Sequence, residues 1–143
     1  MRYSIHSLKR LDGKLAWLLI LTLLAACAPA SSGPRVYFIE PKDGATVTSP
    51  VHVQMGAENF TVEPAGEVKA GAGHLHIMVD TDCMPVGQVI PKDETHLHYG
   101  KAQTEADLEL TPGAHRLCLQ AADGAHTALA GESLTQVINI TVK

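Results

Sequence analysis

The sequence predicts an all-β domain, an immunoglobulin-like antiparallel β-sandwich, behind an N-terminal segment that is not part of the fold. Three observations predict it. Apolar and polar residues alternate with a period of two in several separate segments. Turn-forming clusters such as Pro41-Lys42-Asp43-Gly44 and Pro112-Gly113 divide those segments. No stretch keeps a 3.6-residue apolar period over three turns. Short strands and frequent turns over about 110 residues fit two packed antiparallel sheets.

The elements follow in chain order. Val36-Tyr37-Phe38-Ile39 is an apolar run that ends at the 41–44 turn cluster. Val51, Val53 and Met55 alternate with His52 and Gln54, so one face is buried. His74 to Asp80 alternates again, with Leu75, Ile77 and Val79 on one side and His74, His76 and Met78 on the other. Ala106, Leu108 and Leu110 alternate with Asp107 and Glu109. Pro112-Gly113 turns the chain into His115 to Gln120, and Ile138, Ile140 and Val142 close the domain. Ala121 to Ala130 is the best helical candidate, but Gly124 interrupts it.

Ahead of the domain, Arg2, Lys9, Arg10 and Lys14 form a basic region and Leu15 to Leu24 a short leucine-rich one. Leu24-Ala25-Ala26-Cys27 follows, with small residues before a cysteine, as in a lipoprotein signal peptide. About ten apolar residues are too few to cross a ~30 Å hydrocarbon core as a helix. The expectation is a signal peptide over 1–26, a lipidated tether over 27–34 anchored to the membrane through Cys27, and a His-rich domain over 35–143. Ala28, rather than aspartate, directs such a protein to the outer membrane of a Gram-negative host. The expected location is therefore the bacterial cell envelope, on the periplasmic face of that membrane.

The leader removes four basic residues and Asp12, which leaves 7 basic against 14 acidic residues. An acidic surface argues against nucleic acid as a partner and mildly favours cations. Cys83 and Cys118 remain as a pair in an oxidising compartment, where a disulfide is favoured over the competing reading as two thiolate metal ligands. In the chain-entropy model such a bridge contributes roughly 3–4 kcal/mol.

Eight histidines are many for 143 residues, and they are unevenly placed. His74 and His76 form one His-x-His pair, and His96 and His98 another. On a strand, residues i and i+2 project to the same side, so each pair presents two imidazoles together. A lone pair of this kind is a weak signal. Two pairs brought together, with His126 from a turn-rich loop, make a set suited to copper, zinc or nickel. The candidate metal ligands are His74, His76, His98, His126 and His115. For His115, beside Leu117 and Leu119, the competing reading is a hydrogen-bonded core histidine. His52 reads as solvated, Met78 as packing, and Asp80 and Asp82 as turn residues. Whether His96 and Met78 join the set is open.

At these residues the chain resembles the family called domain of unknown function 4399. The matching pieces are Pro41-Lys42-Asp43-Gly44-Ala45, Pro64-Ala65-Gly66, Gly73-His74-Leu75-His76, His98 to Glu105, Leu110 to His115, and Asp123-Gly124-Ala125-His126. The resemblance implies a small, histidine-rich, secreted or envelope-anchored β-sandwich, and brings no established activity. It places the family's motif histidines at His74, His76, His98, His115 and His126. Where members often carry a further histidine, this chain has Leu75. The cysteine pair is not expected across the family, which suits a local disulfide. A looser likeness is to copper-binding sandwiches and copper–zinc superoxide dismutases, which also carry His-x-His on a strand, although the dismutase's longer ligand pattern is not reproduced.

The leading functional expectation is a non-catalytic binding module that coordinates a transition metal through these histidines. The alternative is a metal-free structural or protein-interaction module. An enzyme is disfavoured: there is no Gly-x-Ser-x-Gly and no free thiol beside a histidine, and Glu105 is most simply an exposed strand residue.

Overall fold

Alternation along the chain becomes two stacked sheets in the computed structural model, which describes residues Gly33–Lys143. The expected signal peptide, Cys27 and most of the 27–34 tether lie outside the described residues. The strands are β1 (Arg35–Glu40), β2 (Thr46–Val47), β3 (Val51–Glu58), β4 (Thr61–Val62), β5 (Ala72–Val79), β6 (His96–Tyr99), β7 (Glu105–Leu108), β8 (Gly113–Ala122) and β9 (Thr135–Val142). One sheet runs β1-β3-β7; the other runs β2-β9-β8-β5-β4, with β6 also paired to β5. The longer pairings are antiparallel, as the alternation predicts, while the two-residue strands β2 and β4 join β9 and β5 in parallel. Strands that short carry no periodic signal, so the sequence does not reveal them.

The inter-sheet core takes one side chain in two from each strand. Val36 and Phe38 of β1, Val51, Val53 and Met55 of β3, Leu75 and Ile77 of β5, Leu117 and Leu119 of β8, and Ile138 and Ile140 of β9 are all buried there. Full burial of a side chain of this size is worth about 1.5–3 kcal/mol relative to exposure. The candidate helix over Ala121 to Ala130 does not form. Ala121 and Ala122 finish β8, and the Asp123–His126 turn folds the chain back so that Ala128 bridges Ala122.

The outer face of the larger sheet is covered too. Met78, Cys118 and Ala122 project outward from β5 and β8 and pack with Ile90 and Ala128 in a second, smaller core, beside Cys83 and Met84. The segment after β5 is fastened over this face. Cys83 is joined to Cys118 by a disulfide with its Cα atoms 5.7 Å apart. The buried Gln120 amide accepts from the Met84 N–H and donates to the Met84 carbonyl at 2.9 and 2.8 Å. Ile90 N–H donates to the His126 carbonyl at 2.8 Å. β5 is therefore buried on both faces from Ala72 to Met78.

Candidate functional site: a buried four-histidine cluster

The site grows from β5 and its neighbours. His74 and His76 face outward beside Met78, opposite Leu75 and Ile77, as the alternation requires. Antiparallel pairing sets His98 of β6 directly across from His76. His126 arrives from the turn after β8. The Asp123 carboxylate accepts from the Ala125 and Thr127 amides at 2.8 and 2.9 Å, and the His126 N–H donates to the Asp123 carbonyl at 3.0 Å. That turn holds His126 at φ 66°, a left-handed conformation that costs a non-glycine residue about 1 kcal/mol or more.

The four rings converge. One nitrogen from each of His74, His76, His98 and His126 lies within 4.8 Å of the others. His76 Nε2 is 3.0 Å from His74 Nε2, and His74 Nε2 is 3.1 Å from His126 Nδ1. Ring centroids are 4.7 to 5.9 Å apart. His74 and His76 have no solvent exposure, whereas His98 and His126 are partly exposed at the rim.

Without a cation the converging ring nitrogens cannot all be well paired at once. Each ring nitrogen has one in-plane position, holding either a hydrogen or a lone pair. His74 Nε2 meets two other nitrogens and can make a well-formed bond with only one of them. His74 Nδ1, His76 Nδ1 and His98 Nε2 are buried with no hydrogen-bond partner. Each such orphan costs about 1–3 kcal/mol. Protonation does not resolve this at neutral pH. Burial, and then the neighbouring imidazoles, push His76 down to about 3 and His74 down to about 4. Burial, then His126 and Lys92, lower His98 as well. These three rings are therefore neutral at pH 7 with lone pairs available to a metal. Zinc–nitrogen bonds of about 2.0–2.1 Å imply tetrahedral edges of about 3.3–3.4 Å. The two shortest nitrogen separations are just inside that value, and the longest must close by about 1.4 Å. Four histidines this close can hold a metal ion.

Three glycines make the convergence possible, each adjoining a cluster histidine in sequence or space. A Cβ on Gly100 would sit 2.1 Å from His98 Cε1 and Nε2, so the His98 ring lies against the bare Gly100 backbone. A Cβ on Gly73 would meet the Ala122 carbonyl oxygen at 2.0 Å, and one on Gly124 the Glu67 carbonyl oxygen at 2.1 Å. The sequence shows Gly73-His74, His98-Tyr99-Gly100 and Gly124-Ala125-His126, so the residues were visible, but a glycine needed for close approach looks there like a glycine needed for a turn.

The fifth candidate, His115, is a correction: it is not part of the cluster. Its Nδ1 donates to the Asp80 carboxylate at 2.8 Å and its Nε2 contacts the Thr111 carbonyl at 2.7 Å, at a separate cleft with Arg116 and Asn139. The alternation of β8 sends His115 to the side of Leu117 and Leu119, opposite the face that carries the site. The Thr111 carbonyl and the Asp80 carboxylate outweigh burial and raise its pKa. Burial pushes the Asp80 carboxyl up, and hydrogen bonds from the Arg116 amide and the His115 ring outweigh it and lower its pKa. His96 is bonded through Nδ1 to Asp93 at 2.9 Å, and His52 through Nδ1 to Asp107 at 2.8 Å in the open. Met78 is fully buried in the outer core. The disulfide excludes Cys83 and Cys118 as thiolate ligands.

Comparison with known proteins returns little beyond the fold family. No curated protein matches the chain. Among solved structures, the X-ray structure of the endo-beta-1,4-mannanase from Thermotoga petrophila aligns over 80% of this chain and 21% of its own length, at 16% identity and a TM-score of 0.48. The chain thus spans about a fifth of that structure's length. The family described as domain of unknown function (DUF4399) matches residues 53–143, which include β5, β6, β8 and all four clustered histidines. The chain belongs to the DUF4399 family.

Proposed function

We propose that this domain is a non-catalytic metal-binding module of the bacterial cell envelope, in which His74, His76, His98 and His126 coordinate one copper, zinc or nickel ion. The observation that carries the reading is the convergence of four imidazoles, one nitrogen from each within 4.8 Å of the others, with His74, His76 and His98 lowered in pKa by burial. A cation that accepts several lone pairs at once satisfies the converging nitrogens together, whereas His74 Nε2 can pair well with only one of its two neighbours. All-nitrogen ligation suits the borderline ions. Four protein ligands fill a tetrahedron, while catalysis needs an open position, which favours storage, delivery or sequestration over turnover.

Attachment to the membrane through a lipid on Cys27 belongs to the same proposal and rests on the Leu24-Ala25-Ala26-Cys27 sequence. Metabolic labelling with a radioactive fatty acid tests it, with label expected on the native chain and absent from Cys27→Ser. The metal reading is tested by titrating the full chain, in mild detergent, with Cu(II), Zn(II) and Ni(II). One equivalent bound more tightly than about micromolar supports it. No ion bound that tightly overturns it.

A further inference from the structure

The buried histidines are closed to solvent on the sheet side, and the rim faces a second feature. A groove of about 430 Å³ runs beside β6 and is lined by Lys92, Asp93, His96, His98, Tyr99 and Asp107, among others. One of its walls, His98, is a member of the cluster. His96 lies two residues away on the same face of β6, across from Met78, as His98 lies across from His76. Leu97 and Tyr99 take the opposite face, against the inter-sheet core, and with Ala106 and Leu108 form the apolar wall of the groove. A stepwise path therefore leads along one strand face from open groove to buried site: His96, then His98, then His76.

His96 is prepared for ligation. The Asp93 carboxylate accepts from the His96 ring at Nδ1 and from the His96 and Thr95 amides, all at 2.9 Å. A ring that donates from Nδ1 keeps its lone pair on Nε2, and a carboxylate behind an imidazole raises its basicity as a ligand. This carboxylate–histidine pairing is the outer-shell arrangement that the cluster's own rings lack. The His96 side chain is 14% exposed and that of Asp93 is half-exposed, so the pair is reachable from solvent as His74 and His76 are not. Asp93 and Asp107 place two carboxylates on the groove, the second paired with His52, beside Lys92. Carboxylates at a cleft raise the local concentration of cations and speed their arrival.

We propose that this groove is the exchange port of the metal site: an incoming transition-metal ion is first held by His96, backed by Asp93, and is then passed to His98 and the buried rings. The proposal rests on the metal-binding reading above and adds the route. Its physical signature is kinetic. A station on the path alters the entry and exit rates by the same factor and leaves the dissociation constant unchanged. A resting ligand alters the dissociation constant.

The experiment uses the full chain in detergent with Zn(II), delivered from and returned to a metallochromic chelator in a stopped-flow instrument, beside an equilibrium titration. His96→Gln is expected to slow uptake and release together on the order of tenfold, with the dissociation constant held within about threefold. Asp93→Asn is expected to do the same more weakly and to reduce the dependence of uptake on ionic strength. Unchanged rates in both variants overturn the port while leaving the four-histidine site standing. Faster release with a weaker dissociation constant and unaltered uptake also overturns it, by making His96 a resting ligand. If the unaltered chain binds no zinc, copper or nickel, the metal-binding reading falls and takes the port with it. Circular dichroism of each variant separates these outcomes from loss of fold.

Discussion

The described histidines divide into two sets that differ in their partners. His52, His96 and His115 each place Nδ1 2.8 to 2.9 Å from an aspartate. His74, His76, His98 and His126 have only one another. In the first set the His52 and His115 pKa values are raised, by the Asp107 hydrogen bond and by the Thr111 carbonyl with Asp80 respectively. In the second, His74, His76 and His98 are lowered, first by burial. The same residue type, carried on neighbouring strands of one domain, is thus tied to a carboxylate through one nitrogen in one place and meets only other imidazoles in the other. What separates them is whether a carboxylate stands within reach.

The widest way to test that contrast is to remove donors from one set. His74→Ala/His76→Ala is expected to weaken ion binding by a thousandfold or more, as two of four ligands go, measured by competition with a chelator. His115→Ala should leave binding unchanged. A metal-free interaction module predicts a different pattern, in which the double variant loses stability and no ion content changes.

Gly100→Ala is expected to act next most strongly. The added methyl group occupies the space of the His98 ring, so affinity should fall at least as far as the 10–100-fold typical of a lost outer-shell partner. A crystal structure of the variant would show the ring displaced. Asp123→Ala should follow, since it frees the Ala125 and Thr127 amides and releases His126 from its left-handed turn. About 1–2 kcal/mol of stability and several-fold in affinity are expected, read from denaturant melts and titration.

The last contrast lies in pH, and its sign differs between the sets. His74, His76 and His98 have folded pKa values below the unfolded 6.5. The unfolded chain binds protons first, so metal-free stability is full above about pH 6.5 and falls as pH drops toward 4 and 3. His115 has a raised folded value, so its contribution is present below pH 6.5 and is lost as pH rises through that raised value. In metal-free protein, His76→Leu should flatten the acid limb, and His115→Asn should lower stability below pH 6.5 and remove the loss that His115 contributes above it. Urea melts between pH 3 and 8 distinguish them. Bound ion should also leave as the solution is acidified.

Most of the strand pattern was legible, because β1, β3, β5, β8 and β9 alternate cleanly and a period of two assigns faces without further knowledge. That rule alone put His74 and His76 together and away from Leu75 and Ile77. It fell short where contacts are not periodic. The two-residue strands, the second core over the outer face and the loop in place of a helix after Ala122 all depend on which distant segment covers which. His115 was misplaced for a related reason: its spacing from Leu117 and Leu119 showed its face, but nothing local showed that Asp80 and Thr111 would saturate both its nitrogens. His126 could be suspected from composition, yet its arrival beside β5 depends on the Asp123 turn and on the clearance at Gly124.

Burial of β5 on both faces has a consequence for how the site behaves in time. Amide protons on a strand enclosed on both sides exchange only when much of the domain opens, so those from His74 to Met78 should be among the last to take up deuterium. The two innermost ligands are mounted on that slow segment, whereas His126 hangs from a turn that can open locally. Cargo held this way would outlast the ordinary breathing of the loops, and its residence would be governed by the outer two rings swinging aside while the inner two stay in register.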